Sequence, residues 1–329
     1  MIKIGIIGGE GHYHSVLRAA AEHPGNFEIV GVAPGGADED ISSLVQQLQN
    51  KGLNFARFEE YDALLDKAKP DVVVVCPQFY RNAEISISAL RRDMHVFCEK
   101  PLATTLQDYE KLEQAAQLSQ GKIVAMLEYR YAPSFYAAFQ AVRRGDIGHV
   151  RMIHAQKSYK LGNRASFYRS RNTYGGTVLW VGIHAIDWIF WLTGQRFESV
   201  CAGHSARENM GHGDLESTVT AQFRMTDECV ATLNCDYYRP AAADTHGDDR
   251  VRIVGTQGIL EVCGQTVTRI NHLGTVILPP EEPQNIFEDF IRYTQGAENP
   301  RLTREDSLYA TKAALLALQS ADSGDQMHF

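Results

Sequence analysis

Short apolar runs alternate with amphipathic stretches through the first 128 residues of the chain. The runs have the length and β-branched content of buried strands, and in order they are IKIGIIG, FEIVGVA, VVVVCP, HVFCEK and KIVAMLEY. Between them, helical patterns recur near 12–23, 39–50, 81–92 and 105–118. This alternation predicts a doubly wound α/β domain, in which helices cover both faces of a parallel sheet.

The pattern changes after residue 130. A helix is predicted over 133–144, and from residue 149 onward longer segments alternate strictly between apolar and polar residues, as in STVTAQFRM and ECVATLNCDYY. DRVRIVGTQGILEVC predicts two strands around a glycine-containing turn, and LTREDSLYATKAALLALQSA predicts an amphipathic helix. Consecutive alternating strands favour a large, mainly antiparallel open sheet with helices on one face. We therefore predict domains over 1–128 and 129–329, the second of α+β type.

Composition narrows the classes of protein that the chain can belong to. Hydrophobic residues make up 44%, charged residues 22%, and the formal net charge is −8. No segment approaches the roughly 18 unbroken apolar residues of a membrane span, and the first residues lack the zones of a signal peptide. A net negative charge is unfavourable for tracking a phosphate backbone. We expect a cytoplasmic protein that binds neither membrane nor nucleic acid.

The cysteines occur singly, several of them inside strand-like apolar runs. Their spacing matches neither a metal site nor a disulfide framework. We therefore expect reduced cysteines that fill core space and no metal centre. The six are Cys76, Cys98, Cys201, Cys229, Cys235 and Cys263.

A glycine-rich turn follows the first predicted strand, with Gly8, Gly9 and Gly11 in the segment GGEGHYH. A strict G-x-G-x-x-G counted from Gly8 would need glycine at Glu10 and Tyr13, so the pattern is incomplete. A tight turn without ligand is one interpretation. The position of the turn, after the first strand of a βαβ unit, favours the other, in which a dinucleotide phosphate binds at a helix N-terminus.

The end of the second predicted strand lacks the acidic residue that usually holds the adenosine ribose. Pro34, Gly35 and Gly36 occupy that place, and Asp38 is the first carboxylate beyond them. No arginine stands there to favour a 2′-phosphate. The residues alone leave the choice between NAD and NADP open.

The run WVGIHAIDW places polar residues in apolar surroundings. If the run is helical, Trp180, His184, Asp187 and Trp188 share one face, because residues three and four apart are neighbours on a helix. From the run alone, His184 and Asp187 fit either a reacting pair or a buried polar contact.

The segment HVFCEKPLATT, at the end of a predicted parallel strand, carries Glu99, Lys100 and Pro101. Together with IGIIGG, YRYAPSF, RRGDIGHV and GGTVLWVGIHAIDWIFWLTG, it makes the chain resemble the Gfo/Idh/MocA oxidoreductases over essentially its whole length. The resemblance implies a Rossmann domain followed by an α+β domain whose open sheet supports the substrate pocket. It also implies a homo-oligomer, a dimer or tetramer.

The resemblance also implies roles for individual residues. Lys100 would touch the substrate hydroxyl and the nicotinamide ribose, His184 would accept the hydroxyl proton, and Asp187 would position His184. The residues expected to bind the cofactor are Gly8, Gly9, Glu10, Gly11, His12, Pro77, Gln78, Asn82, Glu99, Lys100 and Pro101. Those expected to bind the substrate are Tyr129, Arg130, Tyr168, Arg169 and Trp180.

Two positions depart from the pattern of the family. Trp180 stands where an aspartate is common, one helical turn before His184, and Asn82 stands where a histidine is common. The indole of Trp180 could stack on a sugar ring or simply fill core space.

Several functions are compatible with this sequence. The leading hypothesis is an NAD(P)-dependent oxidoreductase that acts on a sugar, polyol or related cyclic alcohol, with NAD slightly preferred over NADP. One alternative is an epimerase, lyase or glycosidase that retains its cofactor and uses transient oxidation. Another is a catalytically silent sugar-binding or regulatory protein.

Overall fold

A computed structural model describes residues 1–329 and divides the chain into two compact units. The first contains Met1–Leu127 and Gln284–Thr311, and the second contains Glu128–Pro283 and Lys312–Phe329. The boundary at Leu127 lies one residue from the predicted one. Gln284–Thr311, which we assigned to the second domain, belongs to the first unit instead.

The first unit has a six-stranded sheet in the order β3-β2-β1-β4-β5-β6, and all its strand pairs are parallel. This confirms the doubly wound fold. The strands are β1 (Ile2–Ile7), β2 (Phe27–Ala33), β3 (Ala56–Arg57), β4 (Val72–Val75), β5 (His95–Cys98) and β6 (Ile123–Ala125). The helices that alternate with them are α1 (His14–Glu22), α2 (Ser42–Asn50), α3 (Tyr61–Ala68), α4 (Asn82–Leu90) and α5 (Leu106–Leu118).

Most elements of the first unit follow the apolar pattern. Strand β4 is buried throughout, as expected where helices cover both faces of a sheet. The predicted strand KIVAMLEY is shorter, because the chain leaves the sheet after Ala125 and forms a 3₁₀ turn at Glu128–Tyr131. Helix α3 was not predicted, since it buries only Leu64 and Leu65 and so has a weak apolar repeat.

The second unit has a nine-stranded sheet in the order β14-β13-β12-β11-β7-β10-β9-β8-β15. Only the β7–β10 pair is parallel, which confirms the mainly antiparallel sheet. Its strands are β7 (Val150–Tyr159), β8 (Phe197–Ser205), β9 (Thr218–Met225), β10 (Val230–Asp236), β11 (Gly247–Gly255), β12 (Gly258–Cys263), β13 (Thr266–Asn271), β14 (Gly274–Leu278) and β15 (Met327–His328). The predicted alternation holds in β9, which buries Val219, Ala221 and Phe223. Assembly of a homo-oligomer through this sheet stays a prediction.

Three helices of the second unit precede β8, namely α6 (Pro133–Arg143), α7 (Arg171–Tyr174) and α8 (Ile183–Thr193). A π-helical turn at Val178–Gly182 leads directly into α8. The segment Arg171–Thr193 is long and apolar enough to cross a membrane, but 94% of its most apolar window is buried inside the protein. It is therefore the core helix of this unit.

The last helices are α9 (Ile286–Thr294) and α10 (Arg304–Ser323). Helix α9 was not predicted, and its aromatic face explains why this segment returns to the first unit. The ring centres of Phe287 and Phe290 lie 5.4 Å and 5.3 Å from that of Phe97 on β5. Phe287 also packs against Phe27 of β2, at 5.7 Å. Burial of these rings against the parallel sheet decides where the segment lies.

All six cysteines are free thiols. Four are buried as expected, whereas Cys201 and Cys263 are exposed and fill no core space.

Candidate active site

The glycine-rich turn after β1 requires glycine at two positions. Gly8 and Gly11 have φ angles of +85° and +82°, in the region that disfavours side chains. A side chain at Gly8 would overlap the backbone of Cys76, and one at Gly11 would overlap the carboxylate of Glu99. The Glu10 amide donates to the Cys76 carbonyl at 2.8 Å, which ties the turn to the end of β4. The incomplete glycine pattern still builds a close-packed turn at the carboxyl edge of the sheet.

Glu99 anchors this turn. Its fully buried carboxylate accepts from the His12 amide at 2.5 Å and lies 2.8 Å from His12 Nδ1, while its other oxygen accepts from the Lys100 amide at 2.9 Å. Burial raises the pKa of Glu99, but His12 and Lys100 lower it by more. The pKa of Glu99 therefore lies below its ordinary value. Glu99 therefore links the turn to Lys100, and its predicted contact with a cofactor stays a prediction.

Asn82 holds the backbone on either side of Lys100. Its amide nitrogen donates to the carbonyls of Glu99 and Pro101, at 2.9 Å and 2.8 Å. Because Asn82 is fully buried and its amide donors are used in this way, it supports the Glu-Lys-Pro motif. Its contact with a cofactor stays a prediction. Lys100 is 2% exposed, and its Nζ lies 3.9 Å from Glu99 Oε1.

Two further predicted cofactor residues follow β4. Pro77 is buried and Gln78 is half-buried, directly after Cys76. The end of β4 therefore meets the glycine-rich turn, and the Glu-Lys-Pro motif follows the neighbouring strand β5. The residues predicted to bind a cofactor thus gather at one edge of the first unit's sheet, where ligands of such sheets bind.

Glu39, which the sequence analysis missed, also reaches this turn. Its carboxylate accepts from the amides of Gly9 and Gly35, at 3.2 Å and 2.6 Å. A side chain at position 35 would collide with Pro77 and crowd Glu39, which explains glycine there. Burial raises the pKa of Glu39 to about 7, although the two backbone donors oppose the rise. The loop between β2 and α2 therefore holds a carboxylate against the glycine-rich turn.

The raised pKa of Glu39 predicts a pH-dependent stability. Between its ordinary pKa of 4.5 and about 7, the folded protein holds a proton that the unfolded chain has released. The stability that the protonated Glu39 carboxyl contributes to the folded protein is therefore fully present below pH 4.5. It is lost as the pH rises through about 7. Glu39→Gln removes the titrating group, so wild type should lose up to about 3 kcal/mol relative to this variant over that interval.

Urea unfolding of both proteins at several pH values measures this difference. Parallel stability curves for wild type and Glu39→Gln across that pH range would contradict the prediction.

In the second unit, His184 lies in the first turn of α8 and is 4% exposed. Trp180 lies in the preceding π-helical turn, so it is not placed by the regular helical repeat that we assumed. Backbone turns of this type are frequent at functional sites. The predicted helix is correct for His184, Asp187 and Trp188, whereas the spacing to Trp180 differs.

Asp187 forms a buried ion pair that we did not predict. Arg130 donates to its carboxylate through Nε, at 3.0 Å and 3.1 Å from the two oxygens, and through Nη2 at 2.6 Å. The guanidinium also lies 5.3 Å and 5.5 Å from the ring centres of Phe190 and Trp191. Arg130 is 2% exposed, and its pair with Asp187 ties it to α8. Its contact with a substrate stays a prediction.

Two of the other predicted substrate residues, Tyr168 and Trp180, belong to an aromatic cluster. Trp180 and Tyr168 are each 7% exposed and pack edge to face, with ring centres 6.0 Å apart. Arg169 is exposed, whereas the unpredicted Arg164 lies over the rings of Tyr168 and Tyr237, at 5.6 Å and 5.3 Å. The aromatic cluster therefore pairs with Arg164, which precedes Arg169 in the chain.

Tyr129 packs beside His184, with ring centres 5.0 Å apart and planes at 66°. Its hydroxyl donates to Asp249, and burial together with that carboxylate raises the pKa of Tyr129, so the phenol keeps its proton. Asp249 and its neighbour Lys157 were missed. The sequence did hold a signal, since both occupy positions that the strand alternation assigns to the buried face.

Family comparisons agree with both units. A family model described as the oxidoreductase family with an NAD-binding Rossmann fold matches residues 2–127. A second model, the GFO/IDH/MocA C-terminal domain, matches residues 135–261.

Individual relatives support the same grouping. A protein from Thermotoga maritima with a solved structure is 42% identical in sequence to this chain. The two structures match with a TM-score of 0.96 over 100% of both chains. The 1,5-anhydro-D-fructose reductase of Ensifer adhaerens is 28% identical over 271 residues, 77% of this chain and 78% of that protein. YteT of Bacillus subtilis, an assigned oxidoreductase, is 26% identical over 219 residues, 65% of this chain and 51% of YteT.

A levoglucosan dehydrogenase solved with NADH and levoglucosan covers 99% of both chains, with a TM-score of 0.83 and 18% identity, which concerns the fold alone. With both units matched and the Thermotoga maritima structure superimposing over the whole length, this chain belongs to the Gfo/Idh/MocA family of oxidoreductases.

Proposed function

We propose that this protein is an NAD-dependent oxidoreductase that moves a hydride between the cofactor and a carbinol carbon of a sugar, polyol or related cyclic alcohol. The observation that carries the proposal is the setting of Lys100. Lys100 lies in a backbone segment that Asn82 fixes and that Glu99 joins to the glycine-rich turn. A buried lysine held at the ligand-binding edge of a parallel sheet suits chemistry on a bound dinucleotide better than a purely structural role.

The chain's own residues would manage the hydroxyl proton. The nicotinamide ring, when bound, supplies the hydride acceptor. Oxidation of a carbinol requires its hydroxyl proton to leave, and His184 would accept it as general base. Lys100 would stabilise the negative charge that develops on the oxygen. Asp187, paired with Arg130, would keep the helix of His184 in place.

The substrate class follows from Trp180 and from the relatives. Trp180 stands where many family members carry an aspartate, and indole rings stack well on the apolar faces of sugars. One of the relatives named above is a reductase of 1,5-anhydro-D-fructose, a compact ring compound. We therefore propose a cyclic sugar derivative that presents an apolar face to Trp180.

The surroundings of the glycine-rich turn favour NAD over NADP. We propose that the carboxylate of Glu39, in the loop after β2, takes the role of the acidic residue that accepts hydrogen bonds from the adenosine ribose hydroxyls in such folds. The same negative charge would repel a 2′-phosphate. Arg81 approaches Gly36 at this edge, but its guanidinium is paired with Glu84 at 2.9 Å.

Calorimetric titration of NAD and NADP into the protein at pH 8 tests this proposal. We expect NAD to bind more tightly than NADP, and Glu39→Gln to weaken NAD binding by about 10- to 100-fold, because hydrogen bonds to a charged acceptor are lost. Glu28→Gln, an exposed glutamate on β2, is the matched control. NADP binding as tight as NAD would contradict the cofactor choice, and binding of neither would favour the silent sugar-binding protein.

A further inference from the structure

Lys157 is a charged residue in the core of the second unit. It lies on β7 with a side chain that is 0% exposed, on the face of the strand that also buries Ile153 and Ala155. Lysine is almost never fully buried unless it is paired. Its partner is Asp249, its register neighbour on β11, whose Oδ1 lies 2.9 Å from Lys157 Nζ.

The Lys157–Asp249 ion pair contacts Tyr129 at two places, its hydroxyl and its ring. Asp249 accepts the Tyr129 hydroxyl on Oδ2, and Lys157 Nζ lies 4.0 Å from the centre of the Tyr129 ring. A cation over a ring face and a carboxylate on the hydroxyl fix both the position and the rotation of a tyrosine.

Tyr129 passes this constraint to α8. Its ring meets the rings of His184 and Trp188, with centres 5.0 Å and 4.9 Å away and planes at 66° and 68°. Lys157 Nζ also lies 4.6 Å from the centre of the Trp188 ring. The Lys157 ammonium therefore contacts both Tyr129, which packs against the His184 imidazole, and Trp188, which lies one turn after His184 on α8.

We propose that Lys157 and Asp249 form a positioning pair, which acts through Tyr129 to fix the orientation of the His184 imidazole. Lys157 has no exposed surface, so this role does not require contact with a substrate. Trp180 stands before His184 where many family members carry an aspartate. In this chain the carboxylate comes from Asp249 on β11 instead, and it acts through Tyr129, which packs against His184. The catalytic consequence rests on the proposed function, whereas the orientation of the imidazole does not.

The test compares Lys157→Met with the double variant Lys157→Met/Asp249→Asn. Methionine keeps the length of the side chain without its charge, and the double variant avoids leaving Asp249 without its cation. Arg250→Met, which removes an exposed cation from the same strand as Asp249, is the control. The first readout is the ¹⁵N imidazole resonance of His184, assigned by its loss in His184→Gln. The second is the pair of constants kcat and KM.

We expect both Lys157 variants to shift or broaden the His184 resonance, while Arg250→Met leaves it unchanged. In kinetics, kcat should fall by about 10- to 100-fold, because small displacements of a catalytic group cost that much, and KM should change by less than about threefold. Folded variants with an unchanged His184 resonance would overturn the proposal, as would wild-type kcat in the double variant. A shifted resonance in a protein that turns over no sugar would support the positioning pair and contradict only the proposed function.

Discussion

Replacing His184 with alanine is expected to lower kcat by about 100- to 10,000-fold, the range that a positioned general base contributes. In the proposed reaction this variant lacks the group that would accept the carbinol proton. The fold should tolerate the change, because the ion pair of Asp187 with Arg130 remains and holds α8. Steady-state kinetics of wild type and His184→Ala, with circular dichroism as a check on folding, measure the effect.

His272→Ala is a suitable control, since this exposed histidine lies between β13 and β14. It should behave as wild type. If His184→Ala retains a turnover within a few-fold of wild type, His184 is not the base.

Replacing Lys100 with methionine is the second large expected effect, a fall in kcat/KM of about 100- to 1,000-fold. Loss of one group that stabilises developing negative charge on oxygen costs this much in other enzymes. The backbone should keep its place, because Asn82 holds the carbonyls of Glu99 and Pro101 independently of the Lys100 side chain. Glu99 also keeps His12 as a partner.

Lys111→Met, an exposed lysine of α5 paired with Asp108, serves as the control for Lys100→Met. Kinetics should be accompanied by calorimetric titration of NAD. Normal turnover in Lys100→Met would exclude Lys100 from the chemistry, whereas weaker NAD binding with unchanged kcat would assign it to cofactor binding alone.

The apolar pattern predicted most of the architecture because that pattern records which residues each element buries. The all-apolar run of β4 and the strict alternation of β9 each identify a strand and its covered faces. The segment that carries α9 was assigned to the wrong unit because an amphipathic face does not specify the sheet that it covers. Here the contact of Phe287 and Phe290 with Phe97 decides.

The candidate site was predicted in part, and its gaps are long-range pairs. Local motifs placed Lys100, His184 and the glycine-rich turn, because their spacing is a property of one short segment. Arg130 pairs with Asp187 across 57 positions, and Glu39 reaches Gly9 across 30, so neither pair leaves a local pattern.

Lys157 is a different case. A lysine on the apolar side of a strand is visible in the sequence. Only the neighbouring strand β11 explains it, because Asp249 there supplies the partner.

In the proposed reaction the protein exchanges a hydride between a cyclic sugar carbon and NAD while His184 takes the proton. The most direct measurement incubates it with NAD and a panel of sugars, anhydro sugars and cyclic polyols deuterated on carbon, followed by mass spectrometry of the nicotinamide. We predict NADH carrying one deuterium, in amounts equal to the oxidised sugar, and formed at least about 100-fold more slowly with His184→Ala. Substrate conversion without net NADH would indicate transient oxidation, and NAD that binds yet gains no deuterium from any member of the panel would contradict the account.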